Sequence, residues 1–299
     1  MYRSILVPLD GSLLSEQSLP YAVALARRSG ASLHLAYVHT PLIIGEGVMY
    51  LGTPDVQLWE EEKNYLLRLV DRLKKMGLDK LSAHVLEGPI AQALQEQARS
   101  EGCDLVVMTT HGRGPVSRFW LGSVADQLLH RLSTPLLLIR TREETLPLTT
   151  EPEVRNVLVA LDGTPEAERI LQPAGTLAKL LGASCTLLRV VPSVVAYSVY
   201  PEKAVDAALA DKLQDEAHVY LQRIAASLRD QGIPTQTRVL LHAHPATAIV
   251  NEAANGEYGL LALETHGRCG LARLFLGSVA DKVVRSATVP VLVHRCLPD

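Results

Sequence analysis

Along the chain, short apolar runs alternate with longer segments whose apolar positions recur three and four residues apart. The runs SILVPLD (4–10), SLHLAYVH (32–39), LSAHVLEG (81–88), CDLVVMTTHG (103–112) and PLLLIR (135–140) have the length and composition of strands. Between them, SEQSLPYAVALARRSG (15–30), VQLWEEEKNYLLRLVDRLKKMG (56–77), IAQALQEQARSEG (90–102) and GSVADQLLHRLS (122–133) read as helices. In the second of these, Leu66, Leu69, Val70 and Leu73 make one apolar stripe. The pattern then starts again. NVLVALD (156–162), SCTLLRVV (184–191), QTRVLLHA (236–243), YGLLALETHG (258–267) and PVLVHR (290–295) read as five more strands. Strands separated by helices predict right-handed βαβ units, and near-continuous apolar runs predict strands covered on both faces. The expected fold class is α/β: two tandem doubly wound, flavodoxin-like domains, each built on a five-stranded parallel sheet.

The sequence itself repeats, not only its pattern. THGRGPVSRFWLGSVADQLL (110–129) is nearly copied by THGRCGLARLFLGSVADKVV (265–284), and SILVPLDGSLLSEQSL (4–19) matches NVLVALDGTPEAERIL (156–171). Asp10 and Asp162 are 152 residues apart, and Gly122 and Gly277 are 155 apart, so the halves stay in register with about three residues of net insertion. A period this long marks a duplicated domain, since solenoid units are far shorter. TREETLPLTTEPEVR (141–155) is charged, proline-containing and non-periodic, as a linker is. The expected domains are 1–143 and 153–299.

Composition narrows the partners. A length of 299 residues suits two domains, and 47% apolar with 20% charged residues is an ordinary globular balance. The net charge is 29 − 32 = −3, and the few aromatics are not interleaved with basic residues, which argues against nucleic acid. MYRSILVPLDG holds no signal-peptide core, and no run has membrane-spanning length, so no membrane partner and a cytoplasmic location are expected. Cys103, Cys185, Cys269 and Cys296 form no C-x-x-C pair; Cys103 and Cys185 sit in strand-like surroundings and should behave as small core hydrophobes.

Ligands of doubly wound sheets gather at the carboxyl ends of the strands where strand order reverses. VPLDG ends the first strand and MTTHG the fourth. Gly112 lets backbone approach a ligand, and Ser123 suits the N-cap of a helix whose first N–H groups carry partial positive charge. Together these make a plausible phosphate cradle. Each residue also has an ordinary structural reading: a turn aspartate at Asp10, a satisfied loop histidine at His111, a plain cap at Ser123. The pattern G-x-x-x-x-G-K-[ST] is absent, as is G-x-G-x-x-G after the first strand, so neither a P-loop nor a dinucleotide site is expected.

In these residues the chain resembles the universal stress proteins in their tandem two-domain form, over nearly its whole length. ATP-binding members of that family carry G-x2-G-x9-G-[ST] on the exit loop of the fourth strand. Gly112, nine residues and Gly122-Ser123 fit its latter part, and so do Gly267, nine residues and Gly277-Ser278. The resemblance implies an adenine-nucleotide alpha-hydrolase-like fold, ATP with or without Mg2+ as ligand, and a stress-response role through nucleotide-dependent regulation or partner binding. It implies an adenosine side of Pro8, Leu9, Asp10 and Val38, with Asp10 on ribose or base. Around the phosphates it implies Thr109, His111, Gly112, Gly122, Ser123 and Val124. In the second half the implied residues are Leu161, Asp162, Val190, His266, Gly267, Gly277, Ser278 and Val279. Arg113 and Arg268 either add charge there or are solvated loop arginines. Domain association through the fifth strand is also implied, giving pairing within the chain and a homodimer beyond it.

Two departures stand out. The first glycine of the motif is Thr109 in one half and Glu264 in the other, and Ala160 replaces the proline found at Pro8. Glu264 is expected to bring a carboxylate near the phosphates, where like charges repel, so the first half should bind ATP better. No catalytic residue is assigned: beyond His111, His266 and the two aspartates there is no dedicated base, and no acidic metal cluster is evident. A slow ATPase or phosphotransferase and a nucleotide-free interaction scaffold remain the alternatives.

Two further features bear on function. His242 and His244 in LHAHP would share a strand face and could begin a metal site, but no third ligand follows at suitable spacing and none is assigned. TPLIIGEGVMYLGTPD (40–55) reads as a long apolar loop, either a lid or partner surface presenting Ile43, Ile44, Met49 and Tyr50, or packing across the halves.

Overall fold

The computed structural model describes residues 1–40, 52–111, 121–141, 147–192, 207–265 and 277–295, without the side chains of 52–55 and 207–208. The first repeat runs β1 (Ser4–Leu9), α1 (Leu13–Glu16), α2 (Leu19–Ser29), β2 (Ser32–His39), α3 (Gly52–Lys75), β3 (Leu81–Glu87), α4 (Ile90–Ser100), β4 (Leu105–Thr109), α5 (Ser123–Arg131) and β5 (Leu136–Ile139). The second runs β6 (Asn156–Ala160), a 3-10 turn (Ala167–Ile170), α6 (Leu171–Leu181), β7 (Ser184–Val191), α7 (Ala207–Asp230), β8 (Thr235–Leu241), α8 (Pro245–Asn255), β9 (Leu260–Glu264), α9 (Ser278–Ser286) and β10 (Val291–His294). These form two compact units that divide between Pro152 and Glu153.

The strands of the first unit lie in the order β3-β2-β1-β4-β5, and those of the second in the order β8-β7-β6-β9-β10. All pairings within each unit are parallel. The order reverses between β1 and β4, and again between β6 and β9, so each unit is doubly wound with one switch point. All six residues of β1 are buried, as parallel strands with helices on both faces must be. The expected stripe on α3 is buried, with Leu66 and Leu73 wholly inaccessible. Cys103 and Cys185 are buried, and desolvation pushes both thiols up, Cys185 to about 12. Cys269 and Cys296 lie outside the described residues.

Three local expectations need correction. The single helix read over 15–30 is two, α1 and α2, because Pro20 has no N–H to donate and therefore sits in the first turn of a new helix behind Ser18. α3 already begins at Gly52, so the last four residues of the supposed loop 40–55 are helical; Ile43, Ile44, Met49 and Tyr50 lie outside the described residues. His242 and His244 are not on β8 but in the turn after it, where the His244 amide donates to His242 Nδ1 at 2.9 Å and His244 becomes the cap of α8. Among the described residues no helix is long and apolar enough to cross a membrane.

Candidate functional site

The register of the strands brings the chemistry-bearing residues together. Leu9 pairs with Tyr37 on β2, and Leu6 with Val106 on β4. Counting on, Asp10 comes level with Val38 on one side and Thr110 on the other. In the second unit Ala160 pairs with Leu188 and with Leu263, which carries Asp162 level with Val190 and Thr265. Pro8 and Leu9 on β1 and Leu161, just past the end of β6, are buried behind this line, while Asp10, Asp162, Val38 and Val190 are half-exposed at its rim.

Each aspartate closes the same turn. Asp10 Oδ1 accepts from the Ser12 amide at 3.0 Å and from Ser12 Oγ at 2.6 Å; Ser12 Oγ in turn accepts from the Ser15 amide and caps α1. Asp162 Oδ1 accepts from the Thr164 amide at 2.9 Å and from Thr164 Oγ1 at 2.6 Å, and Thr164 Oγ1 accepts from the Ala167 amide. The intervening Gly11 and Gly163 have φ of 79° and 93°, a left-handed conformation that glycine adopts without strain. The turn holds each carboxylate at the half-exposed strand end.

The fourth strand and the following helix are tied by one backbone bond. The Gly122 amide donates to Thr110 O at 2.8 Å, and the Gly277 amide to Thr265 O at 3.0 Å. A Cβ on either glycine would lie 2.8 Å from that same carbonyl oxygen. Here the sequence reading of Ser123 as N-cap is corrected: the cap is Gly122, and Ser123 is the first helical residue. Only glycine fits this close to Thr110 O, so the residue able to cap by its hydroxyl is moved one place on. Gly277 and Ser278 repeat the arrangement. Consequently no cap side chain takes up the first N–H groups of α5 or α9. Ser123, Ser278 and Val279 are exposed, and Val124 is half-buried. A helix start of this kind can hold an anion, with partial positive charge and free donors converging.

The loop side chains differ in placement. Thr109 Oγ1 donates to His111 O at 2.8 Å, and buried His111 has its Nδ1 3.1 Å from Thr110 Oγ1. Gly112, Arg113, His266, Gly267 and Arg268 lie outside the described residues. Glu264 does not behave as expected. Its side chain is only 2% exposed, and its carboxylate is held by His294 Nδ1 at 2.6 Å and by the Thr265 amide at 3.2 Å. His294 is its register partner on β10. The charge expected to face phosphate is instead engaged across the sheet.

Several neighbours of the site escaped the sequence reading. Glu16 accepts from Tyr65 Oη at 3.1 Å and lies 3.5 Å from Arg72. Burial and then this carboxylate push the Tyr65 phenol up. In the second unit Arg223 pairs with Glu168 at 2.8 Å, beside Tyr220. Glu16 and Glu168 each follow the strand-end aspartate by six residues, and Tyr65 and Tyr220 are 155 apart, so aligning the repeats would have found them. Arg189 had no such signal, because Tyr37 occupies its position in the first repeat. Its guanidinium covers Gly163, where a Cβ would lie 2.8 Å away, and it lies 5.1 Å from the centroid of the Tyr220 ring.

Residues 1–140 and 153–295 each match the family model described as the universal stress protein family. A universal stress protein of Mycobacterium tuberculosis is 27% identical over 305 residues, covering 98% of this chain and 97% of its own length. One from Mycolicibacterium smegmatis is 25% identical over 304 residues, covering 97% and 96%. Among solved structures, a putative universal stress protein of Pseudomonas aeruginosa superposes with a TM-score of 0.70 at 18% identity, covering 98% of this chain and 93% of its own. A universal stress protein of Archaeoglobus fulgidus gives 0.66 at 20% identity, covering 98% and 96%. These two structures share the fold of the whole chain.

Proposed function

The chain belongs to the universal stress protein family, and from that premise we propose that it binds ATP at the strand-end cradle of its first repeat and acts in the stress response by nucleotide-dependent regulation of a partner, without committed turnover. The observation that carries this reading is the meeting of a turn-held carboxylate, Asp10, with a helix start that no side chain caps, at Gly122. The carboxylate suits a ribose or base edge, and the helix start suits phosphate, with or without Mg2+. The same cradle recurs at Asp162 and Gly277, but there the Arg189 guanidinium covers Gly163. That difference favours the first repeat as the ATP site and the second as the interaction half. A cytoplasmic location, pairing of the two domains through the fifth strand and a homodimer beyond it complete the reading.

The test is calorimetric titration of the full chain with MgATP, alongside extraction of co-purified nucleotide. One site per chain is expected, abolished by Gly122→Val and kept by Gly277→Val, with no phosphate release. No heat at millimolar MgATP, with no nucleotide extracted, would leave the scaffold reading.

A further inference from the structure

The amino ends of the first repeat's strands carry a second cluster, at the opposite pole of the sheet from Asp10. His34 on β2 stands opposite Ser82 on β3, and His84 stands two residues further, opposite Ala36. Side chains alternate between faces along a strand, so His34, Ser82 and His84 share one face. α4 packs on β2 and β3 and ends with Glu101 as its C-cap, beside the two imidazoles. The Glu101 carboxylate lies 3.5 Å from His34 Nδ1 and 3.6 Å from His84 Nε2. Ser82 Oγ sits 2.7 Å from the first nitrogen and 2.8 Å from the second. All three candidate ligand atoms fall within 4.8 Å of one another. His34 is buried, whereas His84 and Glu101 are half-buried and open one side to solvent.

A tetrahedral ion with bonds of about 2.0–2.1 Å holds its ligands about 3.3 Å apart. Both histidine–glutamate separations are already close to that edge. Two imidazoles and a carboxylate are a donor set that suits zinc, with a fourth position left for water. The Ser82 hydroxyl lies between both ring nitrogens, donating to one and accepting from the other, so a cation would bind once the second ring moves its proton to its other nitrogen.

We propose that His34 Nδ1, His84 Nε2 and the Glu101 carboxylate form a binding site for a zinc-type divalent cation, specific to the first repeat. The second repeat supplies an internal control. By register Thr186 stands where His34 does and Arg238 where His84 does, and Arg238 already pairs with Glu252 at 3.1 Å. A threonine and an arginine in place of the two histidines leave no donor set for a cation.

The experiment is titration of the chelator-stripped full chain with Zn2+ alone, in competition with a chromophoric chelator, and with Co2+ followed by its visible d–d absorption. One tight site per chain is expected, with tetrahedral cobalt bands. His34→Thr and His84→Arg, each borrowed from the second repeat, and Glu101→Gln should weaken it roughly 100-fold or more. Circular dichroism of the metal-free variants reports folding. Should a histidine variant fail to fold, half-exposed Glu101→Gln decides the matter. The proposal falls if the wild type takes up no zinc, if folded variants bind it as the wild type does, or if His242→Ala with His244→Ala removes the site instead.

Discussion

In the first repeat Thr109 stands opposite Ile139; in the second, Glu264 stands opposite His294. The backbone around them is the same, down to a glycine cap held against the carbonyl of the next residue. Thr109 spends its hydroxyl on His111 O, while Glu264 spends its carboxylate on His294 and the Thr265 amide. A departure from a motif therefore cannot be judged at its own position. A carboxylate at the mouth of an anion site repels phosphate only if nothing nearer engages it, and here a partner thirty residues on does. The same lesson holds two strands away, where buried Tyr37 in one repeat is Arg189 in the other, and at the far pole, where His34 is Thr186.

The sharpest way to break this comparison is to remove one member of the second repeat's pair. His294→Ala leaves the buried Glu264 carboxylate without its hydrogen-bond partner on β10 and should destabilise the second unit by about 2–3 kcal/mol. Glu264→Thr combined with His294→Ile writes in the first repeat's pair and should restore or exceed wild-type stability. Urea denaturation gives the size, and amide exchange on β9 and β10 assigns the unit; a neutral His294→Ala would mean that the pair holds nothing together. Next in size, Gly122→Ala and Gly277→Ala each push a methyl to 2.8 Å from a carbonyl oxygen, and should each cost about 2 kcal/mol. Equal losses sharpen the equivalence of the two helix starts, and a difference above about 1 kcal/mol breaks it. Asp10→Ala and Asp162→Ala remove the acceptor that orders each turn and should cost about 1 kcal/mol apiece in thermal unfolding. The smallest effect belongs to Arg189→Tyr. It loses the contact with Tyr220, worth about 0.5–1 kcal/mol, yet uncovers Gly163. Calorimetry should then show a second ATP site that the wild type lacks, and no new site would mean that Arg189 is not what separates the repeats.

Much of the architecture was legible because it rests on local chemistry. The bounds of β2 and β7 coincide with SLHLAYVH and SCTLLRVV, since an apolar run bounded by glycine before it and proline after it has little choice of state. The duplicated DG and GS corners marked the strand ends that the fold brings together in both repeats. The division at Ser18 and the shift of the cap to Gly122 were missed for different reasons. The first turns on a missing N–H at Pro20, readable in principle; the second turns on the distance to Thr110 O, which spacing does not contain.

Sequence alone thus determined the class of fold, its duplication and the strand ends that carry the Asp-Gly and Gly-Ser corners, because periodicity and turn residues act over a few neighbours. Only the tertiary structure decided which charges meet: Glu264 with His294, Arg189 over Gly163, and His34 with His84 and Glu101. Those meetings depend on strand register and on where a helix ends, which bring together residues tens of positions apart that carry no mark of one another in the chain.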